Sequence, residues 1–357
     1  MNPHEDFFFD DEMVEFFDHF STGAYGQDPD SGDPIEVELV INGDYLDFLN
    51  VPQQGDFEDA ITEEVSLAKL EAILAGHPKV MEALRRFASR PGKYITYVVG
   101  NHDPDLFFPA VRDRILREWN PEGLALADGT PKVRILHETD RIEYPEGVAI
   151  HHGNQFEAVH VLNFQKPLLE NPELDRPVLN LPWGSFYVLK VINRLKWERD
   201  YVDKVRPIKL FLFIGLIVDT WFTIRFGFLT AFYFLMTRFV PSPSRRSRFR
   251  VTLDIFKQEA QGVFPDLENF ARKLLDEKPE LRTVIFGHTH RPMNRIWPDG
   301  RQYINTGTWT KMINMDWRGI GQQFRLTFAL IRLKEGRAHC DLRQWQGESR
   351  PHSVFQG

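Results

Sequence analysis

The sequence has little cysteine, no surplus of positive charge and no secretory start. Its single cysteine, Cys340, excludes an intramolecular disulfide and a zinc site built from thiolates, and is typical of a reducing compartment. The net charge of -8 has the wrong sign for a general nucleic-acid binder, so we expect no nucleic-acid partner. The acidic start, Met1 to Asp6, lacks the basic and apolar segments of a secretory signal, so we expect a cytoplasmic protein.

Short apolar runs and helical patterns alternate along the 357 residues. A chain of this length can bury a large core, and one α/β domain with an insertion fits it as well as two domains. Apolar spacing predicts helices over 7–20, 61–90 with an interruption at 76–78, 105–119 and 251–277. Runs of β-branched and aromatic residues predict strands that include 37–41, 94–99, 133–136, 148–150 and 283–286.

Four predicted strands end in polar motifs rich in metal-ligand residue types. The motifs are Gly43-Asp44, Gly100-Asn101-His102-Asp103, His151-His152-Gly153 and Gly287-His288-Thr289-His290. Open α/β folds build their sites at the carboxyl ends of strands, so we expect these side chains to meet. Adjacent side chains on a strand point to opposite faces, and the position of His152 beside a glycine favours it over His151 as the residue that faces the site.

These residue types favour a metal site. Neutral imidazole is a common ligand of first-row metals, and His288 and His290, one residue apart, can reach two neighbouring points of one cavity. Asp44 is the candidate carboxylate, the Asn101 amide oxygen can also ligate a metal, and His102 can lie near a substrate oxygen. The histidines interpreted as structural or solvated are His137, His160, His339 and His352.

In this order the motifs resemble those of the calcineurin-like metallophosphoesterase family. That family carries Gly-Asp-x-x-Asp, Gly-Asn-His-Asp or Glu, a His before Gly, and Gly-His-x-His. The resemblance covers residues 37–154 and 281–312, and Asn305-Thr306-Gly307-Thr308-Trp309 is similar to the family's closing site loop. It implies an α/β sandwich of two mixed β-sheets flanked by helices, with one helical insertion.

The resemblance implies two divalent metal ions. Asp44 would bridge them, Asn101, His152 and His288 would complete one ion, and His290 would belong to the other. Such ligands suit Mn, Fe, Co, Ni or Zn, with Mn favoured. Two ions of this kind lower the pKa of a bridging water and neutralise the charge that builds on the phosphoryl oxygens.

The resemblance also implies roles for residues beside the ligands. His102, resting on Asp103, would act near the leaving-group oxygen. Arg291, next to His290, could contact phosphate as a fork-shaped donor, and an ordinary surface arginine is the equal alternative.

One family motif has no counterpart in this sequence. The family opens with a strand that ends in Asp-x-His, which supplies the remaining ligands of the second ion. Here that ion keeps only Asp44 and His290, so we expect an incomplete second site in the chain as written. We also expect the missing strand to lie upstream of Met1, and an unpaired flank beside the strand that leads to Asp44.

The family domain is then expected in two parts, 1–155 and 251–346, separated by a helical insertion over 156–250 and followed by a disordered tail over 347–357. The insertion contains the apolar runs 210–218 and 226–236, each too short to span a bilayer. Asp219 and Arg225 lie between the two runs, and charges are costly at the centre of a bilayer. This pattern favours a helical hairpin or a pair of helices that lies on a surface.

Basic residues flank the apolar runs and would attract anionic lipid head groups. They are Lys190, Arg194, Lys196, Arg199, Lys204, Arg206 and Lys209 before them, and Arg238, Arg245, Arg246, Arg248 and Arg250 after them. We therefore expect a membrane surface as a partner through 207–250, with a peripheral position on the inner face of the membrane. A buried helical insert, a lid over 207–240 that receives an acyl chain and a dimer interface remain open.

The function expected from these observations is hydrolysis of a phosphoester or pyrophosphate by a metal-activated water. The nearest branch of the family includes UDP-2,3-diacylglucosamine diphosphatase, which implies a phosphorylated small molecule or lipid as substrate. Two alternatives stay open. One is a catalytically impaired, membrane-associated relative that binds a phosphorylated ligand, and the other is a soluble nucleotide or cyclic-nucleotide phosphodiesterase. The substrate and the oligomeric state stay open as well.

Overall fold

The structure, a computed structural model, describes residues 4–53, 55–57, 60–170, 174–206, 208–239, 267–315, 321–348 and 351–355. Within these residues the chain is mixed α/β with several sheets, as the sequence predicts in outline. The helices are α1 (Asp10–His19), α2 (Glu63–Gly76), α3 (Pro78–Ser89), α4 (Pro109–Trp119), α5 (Trp183–Tyr187), α6 (Asn193–Lys196), α7 (Ile208–Val218), α8 (Thr220–Phe239) and α9 (Leu267–Glu277). A π-helical turn, Val188–Ile192, joins α5 to α6, and 3₁₀ turns cover Gly23–Tyr25, Phe48–Asn50, Pro104–Phe107 and Asn154–Phe156.

Each of the five predicted runs overlaps a strand of the structure, and further strands lie between and after them. The strands are β1 (Val37–Asn42), β2 (Lys93–Val98), β3 (Val133–Leu136), β4 (Arg141–Tyr144), β5 (Val148–His151), β6 (Leu168–Leu169), β7 (Val178–Leu179), β8 (Val205–Arg206), β9 (Thr283–Phe286), β10 (Met293–Ile296), β11 (Gln302–Asn305), β12 (Met312–Asn314), β13 (Gly321–Gln323), β14 (Thr327–Lys334), β15 (Arg337–Trp345) and β16 (His352–Val354).

The first large sheet contains β1, β2 and β3 in that order, all parallel. The motifs after β1 and β2 therefore lie at one edge of the sheet. In the described part of the chain β1 pairs on one side only, with β2. The described strands of this sheet are all parallel, so the mixed character expected of it is not seen in the described residues.

The second large sheet has the order β10-β11-β9-β5-β4, with parallel central strands and antiparallel outer strands. Side-chain alternation places Val284 and Phe286 of β9 against α9, and Ile285 against Leu342 of β15. Strands β9 and β5 are thus covered on both faces, which fixes the two histidine motifs that follow them.

The third sheet, β14-β15-β16, supplies that cover. Cys340 of β15 is buried there, and burial raises the pKa of its thiol to about 11, as expected for an ordinary core residue. The expectation of a disordered tail is wrong for β16, which pairs antiparallel with β15. The physical reason is local packing, because the His352 ring stacks on Phe20 with 5.9 Å between ring centroids.

The apolar runs of the insertion form two helices, α7 and α8, that meet at Asp219, as the sequence predicts. A Cβ at Gly215 would lie only 2.4 Å from Thr223 Oγ1, so the glycine allows the helices to approach closely. The corner carries Ile217, Val218 and Trp221, which are 72%, 78% and 77% exposed. Among the helices in the described ranges, none has both the length and the apolar content needed to cross a bilayer.

Several of the basic residues before the apolar runs pair with carboxylates of the same chain. Lys196 lies 2.7 Å from Asp6 and 2.8 Å from Asp203, and Arg199 pairs with Asp219 at 2.9 Å. These charges are already compensated and contribute little attraction for lipid head groups. The later residues Arg245, Arg246, Arg248 and Arg250, and the start of the helix predicted over 251–277, lie outside the described residues.

The same contacts tie the first residues to the insertion. His4 Nε2 lies 2.8 Å from the carbonyl oxygen of Asn193, and Asp6 pairs with Lys204 at 2.6 Å as well as with Lys196. The Lys196 side chain has no exposed surface, so this is a buried ion network rather than a surface pair.

We expect Lys196→Met to destabilise the fold by roughly 3–5 kcal/mol, because it leaves two carboxylates near a buried site without their shared cation. The matched control is Lys79→Met, since Lys79 pairs with Asp11 and both side chains are at least two-thirds exposed. That change should cost less than about 1 kcal/mol. Urea unfolding at pH 7 measures both, and equal effects would show that the Lys196 network adds nothing.

Candidate metal centre

The loops that follow the strands bend at the site through costly backbone conformations. Asp44, Asp47, His288 and His290 have φ angles of 52°, 45°, 63° and 60°. This left-handed region costs a residue other than glycine about 1–2 kcal/mol, and it persists only where the surrounding structure enforces it. Of the described residues, only one other non-glycine residue has a positive φ, Glu335 in a hairpin turn. Backbone strain is therefore concentrated where the predicted ligands lie.

Two glycines let the ends of β1, β2 and β5 touch. A Cβ at Gly100 would lie 2.2 Å from Asp44 Oδ1 and 2.4 Å from the Asp44 nitrogen. A Cβ at Gly43 would lie 2.3 Å from His152 Nδ1 and 2.8 Å from Gly100 Cα. No side chain fits at either position, which is the physical reason for glycine before Asp44 and before Asn101.

Three electron-rich atoms converge beside these glycines. His152 Nε2 lies 2.9 Å from Asp44 Oδ2 and 3.2 Å from Asn101 Oδ1. His152 Nδ1 lies 2.7 Å from the carbonyl oxygen of Asn42, which can only accept, so this nitrogen donates its proton. In the neutral ring Nε2 then carries a lone pair, and it faces a carboxylate and an amide oxygen. Such a cluster requires a positive charge at its centre, which either a bound cation or a second proton on His152 can supply.

The pKa shifts of Asp44 and His152 also indicate that positive charge is favoured at this position. Burial alone would raise the pKa of Asp44, but the neighbouring His152 and His102 hold it well below its usual value. Burial alone would lower the pKa of His152, and the Asp44 carboxylate outweighs burial so that this pKa is raised. The site thus keeps Asp44 ionised and favours positive charge beside it.

His288 completes the cluster from the end of β9. Its ring centroid lies 5.3 Å from that of His152, and one ligand atom each from Asp44, His152 and His288 lie within 4.8 Å of one another. Ligand atoms about 2.0–2.2 Å from one ion lie at comparable separations. One carboxylate, one amide and two imidazoles form a donor set that fits a first-row divalent ion, and it contains no thiolate.

The loop after β11 holds the Gly287–Thr289 turn. Asn305 is buried, and its Nδ2 donates to the Gly287 carbonyl oxygen at 2.7 Å and lies 3.1 Å from Thr289 Oγ1. Its Oδ1 accepts the Gly307 amide at 3.0 Å. The segment that resembles the closing loop therefore supports the backbone on which His288 sits.

His102 rests on Asp47, and the expected contact with Asp103 is wrong. His102 Nδ1 lies 2.6 Å from Asp47 Oδ1. Asp103 is buried instead and accepts three backbone amides of residues 45–47 at 3.1–3.2 Å, together with the Tyr97 hydroxyl. Asp103 thus shapes the loop that presents Asp44 and Asp47, because its carboxylate is turned toward that backbone.

The Asp47 contact favours the charged form of His102. Burial alone would lower the pKa of the ring, and the carboxylates of Asp47 and Asp44 raise it to about 10. The ring is therefore a proton donor at neutral pH. Burial and the Asp44 charge raise the pKa of Asp103 to about 7.

The two histidines of the Gly-His-x-His motif, His288 and His290, differ in their proximity to other potential ligand atoms. Among the described residues, the triads of neighbouring ligand atoms include His288 but not His290. Arg291 follows His290 on an exposed stretch. Two triads of ligand atoms share His288, one with Asp44 and His152 and one with Glu157 and His160, and the second ion at His290 stays a prediction.

Two residues of the site were missed from the sequence. Glu157 Oε2 lies 3.0 Å from His288 Nε2, and His160 Nε2 lies 3.7 Å from the same oxygen. Burial lowers the pKa of His160 to about 3, so its ring is neutral. The only sequence signal was weak, a Glu and a His three residues apart soon after His152-Gly153.

We expect Gly100→Ala to destabilise the fold by about 1–3 kcal/mol, the usual cost of overpacking, because its Cβ would collide with Asp44. Gly76→Ala in α2 is the control, since a Cβ there meets no atom within 4 Å. The control should be neutral or slightly stabilising. Urea unfolding measures both changes. A Gly100→Ala protein as stable as the control would contradict the close packing described above.

No protein-family model matches the chain, and comparison with curated proteins finds no match.

Proposed function

We propose that this protein is a metal-dependent phosphoesterase or pyrophosphate hydrolase of the calcineurin-like metallophosphoesterase type. The observation that carries the proposal is the convergence of Asp44, Asn101, His152 and His288 from four strand ends. These are the motif positions, in motif order, that the resemblance assigns to one ion. The finer fold assignment, a sandwich of two large sheets with the site at their shared edge, belongs to the same proposal.

The ion would be held by the Asp44 carboxylate, the Asn101 amide oxygen and the two imidazoles. When bound, it supplies an activated water and neutralises charge on the phosphoryl oxygens. A second ion would use Asp44 and His290, with Mn favoured at both places. Because those two residues are too few for tight binding, this second position depends on ligands beyond the ones assigned here.

His102 is the proposed general acid. Its protonated ring is oriented by Asp47 and is partly exposed, so it can give a proton to the leaving-group oxygen. Asp103 takes no direct part in this proposal and acts through the loop that it holds. Arg291 is exposed beside His290 and stays the candidate for phosphate contact.

The proposed substrate class is a phosphate or pyrophosphate linked to a lipid. The insertion begins beside the metal centre, because the His160 ring packs against Gly184 in α5. The same insertion also carries, between α7 and α8, the exposed apolar corner of Ile217, Val218 and Trp221. Side chains of this kind suit the interfacial layer of a membrane, where tryptophan is enriched.

Asp44→Asn should abolish tight Mn²⁺ binding and lower hydrolysis of a bis-aryl phosphodiester at least about 100-fold, because several kcal/mol of charge stabilisation is lost. The control is Asp30→Asn, which changes an exposed loop carboxylate. Metal content of the purified protein and initial rates with added Mn²⁺ provide the measurement. Wild-type protein that binds Mn²⁺ without turnover would favour the impaired, ligand-binding relative instead.

Replacing Ile217, Val218 and Trp221 together by serine should weaken binding to phosphatidylcholine–phosphatidylglycerol vesicles at least about 10-fold. The reason is that each buried apolar side chain contributes roughly 1.5–3 kcal/mol. Hydrolysis of the water-soluble diester should stay within about twofold. Serine at Ile296, Leu333 and Val354, which are also exposed, is the matched control. Vesicle co-sedimentation is the measurement, and wild-type protein that stays in the supernatant would favour a nucleotide substrate.

A further inference from the structure

The Glu157 carboxylate lies within hydrogen-bonding distance of the His288 ring. Glu157 Oε2 lies 3.0 Å from His288 Nε2, and the side chains are only 12% and 8% exposed. An ionised carboxylate can only accept a hydrogen bond, so His288 Nε2 carries the proton in this pair. The lone pair of the neutral ring is then on Nδ1.

The hydrogen-bond acceptors beside His152 and His288 hold these two rings in opposite tautomers. His152 donates from Nδ1 to the Asn42 carbonyl oxygen, which leaves Nε2 for the ion. His288 donates from Nε2 to Glu157, which leaves Nδ1. In each ring an acceptor outside the ligand set occupies one nitrogen, and partners of this kind orient metal-binding histidines in general.

A separate ion between Glu157, His160 and His288 is the competing interpretation, since one ligand atom of each lies within 4.8 Å of the others. A neutral imidazole has one lone pair, so His288 cannot serve this group and the Asp44 group at the same time. His160 is also constrained from its other side, because a Cβ at Gly184 would lie 2.5 Å from its ring. Among the described residues, the buried His160 Nδ1 has no hydrogen-bond partner, whereas a ligand histidine usually has one on its other nitrogen.

We propose that Glu157 is a positioning residue that locks His288 in the Nε2–H tautomer and so directs Nδ1 to the ion. His160, packed between Glu157 and Gly184, couples the first helix of the insertion to the metal centre. The inference rests on the proposed function, because it requires an ion at Asp44.

The first test is Mn²⁺ affinity by calorimetry. Glu157→Ala should weaken binding by about 10–100-fold at unchanged stoichiometry, the usual effect of removing such a partner. Glu157→Gln should lie between Ala and wild type, because its amide oxygen still accepts the Nε2 proton. Glu138→Ala, at an 89% exposed carboxylate, is the control and should bind like wild type.

The second test reads the tautomer without metal. Long-range ¹H–¹⁵N spectra of histidine-labelled protein should assign the proton of His288 to Nε2 in the wild type. Glu157→Ala should remove this preference. Gly184→Ala should shift the His160 signals, because the added methyl displaces that ring. In the calorimetric test the same variant should bind Mn²⁺ more weakly.

The outcomes separate the two proposals. Glu157→Ala that keeps its metal-free melting temperature and binds Mn²⁺ like wild type would overturn this inference alone. One bound ion fewer in Glu157→Ala would make Glu157 a ligand and overturn it too. A proton on Nδ1 of wild-type His288 would also overturn this inference. Wild-type protein that binds no Mn²⁺ would overturn the proposed function and this inference together.

Discussion

The structure depends on one unfavourable arrangement, the close approach of electron-rich atoms around His152 Nε2. A carboxylate oxygen and an amide oxygen lie about 3 Å from this nitrogen, whose other ring atom is occupied by a carbonyl. Such groups repel one another in a buried place unless a positive charge lies between them, either a bound cation or a proton on His152. The glycines at 43 and 100 and the left-handed backbone at Asp44 and His288 serve to hold this arrangement.

Rigid strands and loops hold the mutually repelling groups of the site in place. Strands β5 and β9 are buried on both faces, so the histidines that follow them cannot move apart without disrupting the core. Asp103 binds three amides of the loop after β1, and Asn305 binds the turn after β9. Two of the four predicted ligand loops thus have a buried polar side chain that fixes their backbone. This kind of support makes a site pre-organised rather than assembled by its ion.

The insertion is integrated with the rest of the molecule and is not a separate flap. Its helices contact the N-terminal residues through His4 and the Lys196 network, and α5 packs against the His160 ring beside the candidate metal site. Its far end nevertheless exposes large apolar side chains.

The sequence by itself predicted five of the strands, the candidate ligands at the ends of four of them and the choice of His152 over His151. These follow from local rules, namely the two-residue repeat of strands and the need for glycine where backbones touch. Only the tertiary structure decided that Asp47 rather than Asp103 holds His102, that Glu157 holds His288, and that β16 is ordered. It also decided that Lys196 is buried against carboxylates. These contacts join residues distant in the chain, or choose between neighbouring carboxylates, and local periodicity carries no information about either.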